Sequence, residues 1–312
     1  MAIVVVLGLV AFAVTQGDED EPDQSTPEGT ESTSVAGTAS PSTLSPEEVE
    51  QDAARVELVL AVRPMIDAIT AEATASVLTI TGSGDVAGGY GDIPTARAET
   101  DAAQATFEAV VNDATAADVV GDEFAVVMTT LGLLDTMRAN VDAIEPGSDP
   151  TAGGQVYDVE RSYRDVWVSL IDAADPVALS VVDPVGQLGA RLLVSGLRGA
   201  YLTSALLGEL SAASSASSTL DTPEAIAQIA ELWSTYSATL TGIQSDAAGS
   251  DYEPAAESLD EQLTTTGHLA TVPDILAGGT IDFSVLYDST TPGPGGGWPG
   301  FITETERLLT SS

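Results

Sequence analysis

Residues 183–202 read DPVGQLGARLLVSGLRGAYL and carry the pattern that decides the fold. Asp183 followed by Pro184 is a typical helix start, because a short acidic side chain can cap the first turn and proline fits its first position. Leucines then recur at helical spacing, at positions 188, 192, 202 and 206. The segment therefore predicts a long helix that packs through an apolar face.

The same helical periodicity recurs along most of the chain. It covers residues 45–81, 94–114, 122–144, 155–173, 184–217, 222–247 and 255–276, and a last helix begins near Trp298. Ser45-Pro46 and Thr222-Pro223 repeat the helix start signal, and only residues 281–287 form a candidate strand. We therefore expect an all-α fold of antiparallel helical bundles, with about eight helices in two stacked four-helix bundles that share long helices.

Charge and residue types exclude several classes of function. The chain has nine basic residues, all arginine, against 48 acidic ones, and its net charge is −39 at pH 7. Such a field repels polyanions, so we expect no nucleic-acid partner. Cysteine and lysine are absent and His268 is the only histidine, which excludes thiolate metal sites, cysteine nucleophiles and Schiff bases. We expect no catalysis, no metal and no cofactor.

The N-terminus carries an uncharged apolar run at residues 2–14. As a helix it reaches roughly 20 Å, short of the roughly 30 Å of a bilayer core. That length suits a signal peptide, and Ala11-Phe12-Ala13 resembles a cleavage site. The basic residues expected before such a run are missing, which fits a transmembrane helix whose true start lies upstream of Met1. A buried core helix is the remaining interpretation.

These features predict the organisation of the whole chain. Residues 1–16 are a membrane anchor or signal segment, residues 17–44 are a disordered acidic linker, and residues 45–312 form one helical domain. We expect the domain to be extracytoplasmic and held at the cell membrane by the N-terminal segment, or secreted if that segment is cleaved.

Two arginines stand out in the apolar segment quoted above. Arg191 and Arg198 are seven residues apart, so they lie within about 20° of each other on one helix face, beside the leucine stripe. Either they pair with acidic residues of neighbouring helices or they bind an anion, for which the planar guanidinium is the natural receptor. Gly196 and Gly199 leave room for another helix or for a ligand. Arg161 and Arg164 form a rival pair that is interleaved with acids.

Four segments resemble the nitrate- and nitrite-sensing (NIT) domain, an extracytoplasmic sensory module of bacterial receptors, notably actinobacterial histidine kinases. They are PTARAETDAAQATFEAVV at 94–111, MRANVDA at 137–143, YRDVWVSLIDA at 163–173 and GWPGFITETERLL at 297–309. The resemblance runs over residues 45–310 in the same order. It implies two four-helix bundles with a ligand held between helices by arginines.

The two hallmark patterns of that family are each half present. The first reads ITAEATAS at residues 69–76, where Glu72 and Ser76 match the family and Ala73 replaces its arginine. The second reads Leu197-Arg198-Gly199 and keeps the arginine. The resemblance thus implies a ligand site in which Arg198 is the anion clamp, Arg191 a supporting charge, and Glu72 with Ser76 a facing polar pair.

Two functions remain open at this stage. The first is a sensory domain that binds a small anion such as nitrate or nitrite and passes on a helix displacement for transmembrane signalling, as a receptor fragment or through a homodimer or signalling partner. The second is a secreted or membrane-anchored helical protein that serves interaction or structure without a small-molecule ligand.

Overall fold

The computed structural model describes residues 44–80, 92–116, 118–121, 123–144, 153–214, 222–266, 269, 271–279 and 297–311. In these ranges the chain forms ten helices and no strand. The helices are α1 (Pro46–Ile80), α2 (Ile93–Ala116), α3 (Glu123–Leu131), α4 (Leu134–Asp142), α5 (Gly153–Ser180), α6 (Pro184–Ser214), α7 (Pro223–Ala247), α8 (Glu253–Thr266), α9 (Val272–Leu276) and α10 (Gly297–Ser311). The predicted all-α class is confirmed; the candidate strand at 281–287 lies outside these ranges.

The three predicted helix starts are confirmed by their caps. At the start of α1 the backbone N–H of Glu48 donates to Ser45 Oγ at 3.3 Å, and the backbone N–H of Ser45 donates to Glu48 Oε2 at 2.7 Å. This reciprocal pair is a capping box. Asp183 before α6 and Thr222 before α7 each accept from the backbone N–H three residues later, at 2.7 and 3.3 Å.

Some predicted helix boundaries are wrong. The single helix predicted over 122–144 is two helices, because the chain turns at Gly132 and Leu133, whose N–H groups bond carbonyl oxygens of the preceding turn. The helix predicted over 155–173 continues through Pro176 to Ser180. Its extra turns bury Ala174, Val177 and Ala178, each at most 2% exposed, and that burial offsets the hydrogen bond that proline cannot make.

The helices pack as two groups. Helices α2 and α5 lie against α1, and α3 and α4 lie against α5. In the second group α7 and α10 lie against α6, while α8 lies between α7 and α10. The two groups meet where α6 contacts α5 and α1. This arrangement is a helical bundle fold, with the long helices α1, α5 and α6 at its centre.

A buried carboxylate holds the connection between α5 and α6. Asp52 on α1 is 6% exposed and accepts from the backbone N–H groups of Val182 and Asp183 at 2.8 to 3.0 Å. It also accepts from Arg55 Nη1 at 2.7 Å. The first turns of α1 therefore fix the point where the chain passes from one group to the other.

The glycines of α6 make room for another helix. A Cβ atom on Gly199 would overlap the indole ring of Trp298, and one on Gly196 would lie 3.0 Å from Phe301. Trp298 is fully buried, and its Nε1 donates to Thr203 Oγ1 at 3.0 Å. Of the two explanations that the sequence leaves open, close approach of a helix accounts for both glycines.

The predicted location at the cell membrane is wrong. Among the residues with a described structure, no helix is long and apolar enough to cross a membrane. The expectation rested on the apolar run at 2–14. The proposed anchor at 1–16 and all of the proposed linker at 17–44 except Leu44 lie outside the described residues.

Candidate functional site

A cavity of about 330 Å³ opens between α5, α6 and α7. Its wall combines three arginines, three acids, uncharged polar groups and an apolar strip. The lining residues are Arg161, Arg164, Asp165, Val168, Arg198, Tyr201, Leu202, Ala205, Glu209, Gln228, Glu231, Leu232 and Thr235. We call it the arginine cavity.

Arg198 reaches the arginine cavity from the middle of α6. Its Nη1 lies 3.0 Å from Asp172 Oδ1 and its Nη2 lies 3.4 Å from Asp175 Oδ2, both on α5. The side chain of Arg198 is 29% exposed, and those of the two acids are 58% and 49% exposed. Water screens such exposed pairs, so these contacts hold the guanidinium only weakly.

Arg164 is the buried cation of the cavity. It is 5% exposed, and its Nη1 donates to the carbonyl oxygen of Ser204 at 3.2 Å. The guanidinium lies over Gly208 of α6, where a Cβ atom would come within 2.5 Å of Nη1. Glu160 is buried one turn before Arg164 on α5, and its burial raises the pKa of its carboxyl while Arg164 lowers it. The Arg164 guanidinium is thus buried and held in the wall of the cavity.

The structure brings Arg198 together with the arginine pair that the sequence presents as its rival. Arg161 and Arg164 come from α5 and Arg198 from α6, and all three line one cavity. Only residues 181–183 separate these antiparallel helices, so position 164 pairs with about position 200 at 1.5 Å of rise per residue. That register is the signal by which the sequence could have placed Arg164 near Arg198.

Arg191 lies away from the arginine cavity. Its Nη2 is 2.6 Å from Asp246 Oδ2 near the end of α7, and the two side chains are 38% and 36% exposed. Although Arg191 and Arg198 share a helix face, seven residues separate them by about 10.5 Å along the axis. The structure therefore does not bring the two arginines to one site.

Glu72 and Ser76 lie in a different place, between α1, α2, α4 and α5. Glu72 is fully buried, and its two carboxylate oxygens accept from Nε and Nη2 of Arg138, both at 2.8 Å. The hydroxyl group of Tyr163 donates to Glu72 Oε1 at 2.9 Å, and Arg97 Nε lies 3.8 Å from the same oxygen. We call Glu72, Ser76, Arg97, Arg138 and Tyr163 the Glu72 cluster.

The contacts of the Glu72 cluster shift the pKa values of two of its members, Arg138 and Tyr163. The hydrogen bond to Glu72 raises the pKa of Arg138. Burial raises the pKa of Tyr163, and the charge of Glu72 raises it further. At the surface, Arg138 Nη1 lies 2.7 Å from Asp101, and Arg97 donates to Asp142 at 2.8 and 3.0 Å. Sequence reasoning found Glu72 but missed Arg97, Arg138 and Tyr163, although all three lie in the segments that carry the resemblance.

The arginine cavity and the Glu72 cluster both lie in a part of the chain that matches a known family. The sequence profile described as nitrate and nitrite sensing, NIT, matches residues 64–292. The chain belongs to the NIT family. The match includes the Glu72 cluster and all the residues of the arginine cavity, so both lie inside the NIT domain. No curated protein and no solved structure matches the chain.

The NIT family is a sensory one, which gives the chain a sensory role. One local departure bears on where a ligand would bind. Ala73, at the position where the first hallmark pattern has an arginine, is 2% exposed in the packed core. An anion near this position would meet Glu72 and its arginine partners instead of a free guanidinium.

Proposed function

We propose that this NIT domain senses a small oxyanion such as nitrate or nitrite, which binds in the arginine cavity. The observation that carries the proposal is the convergence of Arg161, Arg164 and Arg198 on one cavity. These are three of only nine cations in a chain of net charge −39. A small anion binds such a chain only where cations are concentrated, and here three arginines offset the three acids of the lining.

The chemistry of the cavity suits a planar oxyanion. A guanidinium offers parallel N–H donors to two oxygens of one anion. Arg198 is held by two screened carboxylates, so it can turn to a ligand at low cost. Arg164 supplies a charge that is already buried and fixed.

Binding would act through the helices that line the cavity. An anion bridging Arg161 and Arg164 on α5 to Arg198 on α6 favours the helix arrangement in which the three guanidiniums converge. A difference in affinity of a few kcal/mol between two arrangements is enough to shift their populations. This role requires binding without chemistry, which agrees with a sensory family.

The other predicted ligand residues lie elsewhere. Arg191 pairs with Asp246, and Glu72 and Ser76 belong to the Glu72 cluster. A role of these three residues in ligand binding stays a prediction. For Arg191, the test is whether Arg191→Ala weakens binding in the arginine cavity.

Isothermal titration of the full chain with nitrate and nitrite tests the proposal. We expect saturable binding that Arg198→Ala and Arg161→Ala each weaken at least tenfold, since a charged hydrogen bond contributes about 1.5–3 kcal/mol. The matched control is Arg307→Ala, which removes an exposed arginine paired with Glu304 within α10. Absence of binding, or equal binding by Arg198→Ala and the control, overturns the proposal and favours a helical interaction protein without a small ligand.

A further inference from the structure

We propose that the Glu72 cluster is a second anion site, which the chain's own Glu72 carboxylate fills. Its ligand class is a small planar anion such as formate, acetate or nitrate. The inference does not rest on the arginine cavity, which lies on the opposite side of α5.

The surroundings of Glu72 are those of a bound anion. Three hydrogen bonds, two from Arg138 and one from the Tyr163 hydroxyl group, end on its two oxygens. They come from α4 and α5, while Glu72 itself comes from α1. The carboxylate therefore connects three helices, as a free anion between helices would.

The charges also favour an anion at this point. Arg97 and Arg138 both approach the single buried carboxylate. The acids that pair with them on the outer side, Asp101 and Asp142, have side chains 62% and 59% exposed, so water screens them. Without Glu72 the two guanidiniums would lose the buried carboxylate that both approach, and an anion there would restore the balance.

The site offers more donors than Glu72 uses. Arg97 Nε is buried without a hydrogen-bond partner. Ser76 Oγ is fully buried beside the Tyr163 hydroxyl group, whose pKa it lowers. A carboxylate has two oxygens and nitrate has three, so a trigonal anion can use a donor that Glu72 leaves idle.

The size of the site agrees with this ligand class. Glu72→Ala removes Cγ, Cδ and two oxygens, and acetate and nitrate each consist of the same number of non-hydrogen atoms. A second cavity, of about 150 Å³ between α4 and α5, is lined in part by Tyr163, one of the donors to Glu72. In the natural chain Glu72 is fully buried, so the site is closed to ions from solution.

Thermal unfolding of the full chain, followed by circular dichroism, tests the inference. In sodium chloride Glu72→Ala should unfold at a lower temperature than the natural chain. Formate, acetate or nitrate at equal ionic strength should raise its Tm by several degrees, because an ion that binds only the folded state stabilises it. The natural chain and Glu72→Gln, whose side chains still fill the site, should show a smaller rise, limited to what binding in the arginine cavity gives them. The double variant Glu72→Ala, Arg138→Ala should respond no more than the natural chain.

Three results would overturn the inference: no response of Glu72→Ala to any of the three anions, an equal response of the natural chain, or an undiminished response of the double variant. If Glu72→Ala does not fold in chloride, it is refolded from denaturant in each anion. Recovery of the helical spectrum in formate or nitrate supports the inference, and an unfolded chain in all of them overturns it. Nitrate binding by the natural chain reports on the arginine cavity alone, so the two proposals can fail separately.

Discussion

Gly199 lies under the indole ring of Trp298, where α10 crosses α6. We expect Gly199→Ala to lower the free energy of unfolding by about 1–3 kcal/mol, because the added methyl group overlaps a fully buried ring. The matched control is Gly242→Ala on α7, where a Cβ atom meets nothing within 4 Å. That change should raise the free energy of unfolding by about 0.5–1 kcal/mol through helix propensity. Urea unfolding measures both, and equal effects of the two substitutions would contradict the expectation.

Single residues show where sequence reasoning stops. The sequence marks Glu72, Arg191 and Arg198 as unusual charges, and all three do form ion pairs. It does not reveal their partners, because those lie 66, 55 and 23 residues away in the chain. A resemblance that aligns Glu72 and Arg198 with one ligand site therefore cannot tell that each is paired with a different residue.

Asp52 decides how α1 meets the connection between α5 and α6. Removal of its carboxylate leaves the N–H groups of Val182 and Asp183 without their acceptor. We expect Asp52→Ala to cost about 1–3 kcal/mol, the penalty for a buried group that loses its partner, and Asp52→Asn to cost less because an amide keeps one acceptor oxygen. Chemical denaturation measures both. The control is Glu57→Ala, which changes an exposed acid on the same helix. If Glu57→Ala lowered the free energy of unfolding as much as Asp52→Ala, the role of Asp52 at this connection would be contradicted.

Helix starts are predictable because their causes are local. The caps at Ser45, Asp183 and Thr222 need only the next three residues. Helix ends and breaks depend on distant packing. The turn at Gly132 and the continuation of α5 through Pro176 follow from what each segment buries, and local periodicity does not contain that information.

At the scale of the whole molecule, the arginine cavity follows from the register between α5 and α6. The periodicity of each helix gives its apolar face but not the neighbour that meets it. The all-α class and the bundle arrangement could be predicted because helical patterns with short connections leave few alternatives. The convergence of Arg161, Arg164 and Arg198 could be inferred only with the helices paired in register.

The acidity of the molecule sets the sign of its response to pH. Burial raises the pKa of Glu160, of Glu306 and of Asp67. The folded state therefore holds these protons more tightly than the unfolded state, and the resulting stability is lost as the pH rises through the raised folded-state pKa values. Hydrogen bonds from arginines lower the pKa of Asp142 and Glu304, so their contribution is lost only as the pH falls through those lowered values.

We therefore expect the Tm to rise as the pH falls from 7.5 toward about 5 and to fall again below about pH 4. Repulsion among 48 acidic residues acts in the same direction above pH 5, so added sodium chloride should raise the Tm at pH 7.5.

Glu160 faces Arg164 and Glu209, and Glu160→Gln should reduce the difference in Tm between pH 7.5 and pH 5. Glu257→Gln, at an exposed position on α8, should leave that difference nearly as it is. Scanning calorimetry in matched buffers measures these Tm values. A Tm that is constant from pH 7.5 to 5, or equal pH responses of the two variants, would show that buried carboxyl groups do not control the stability.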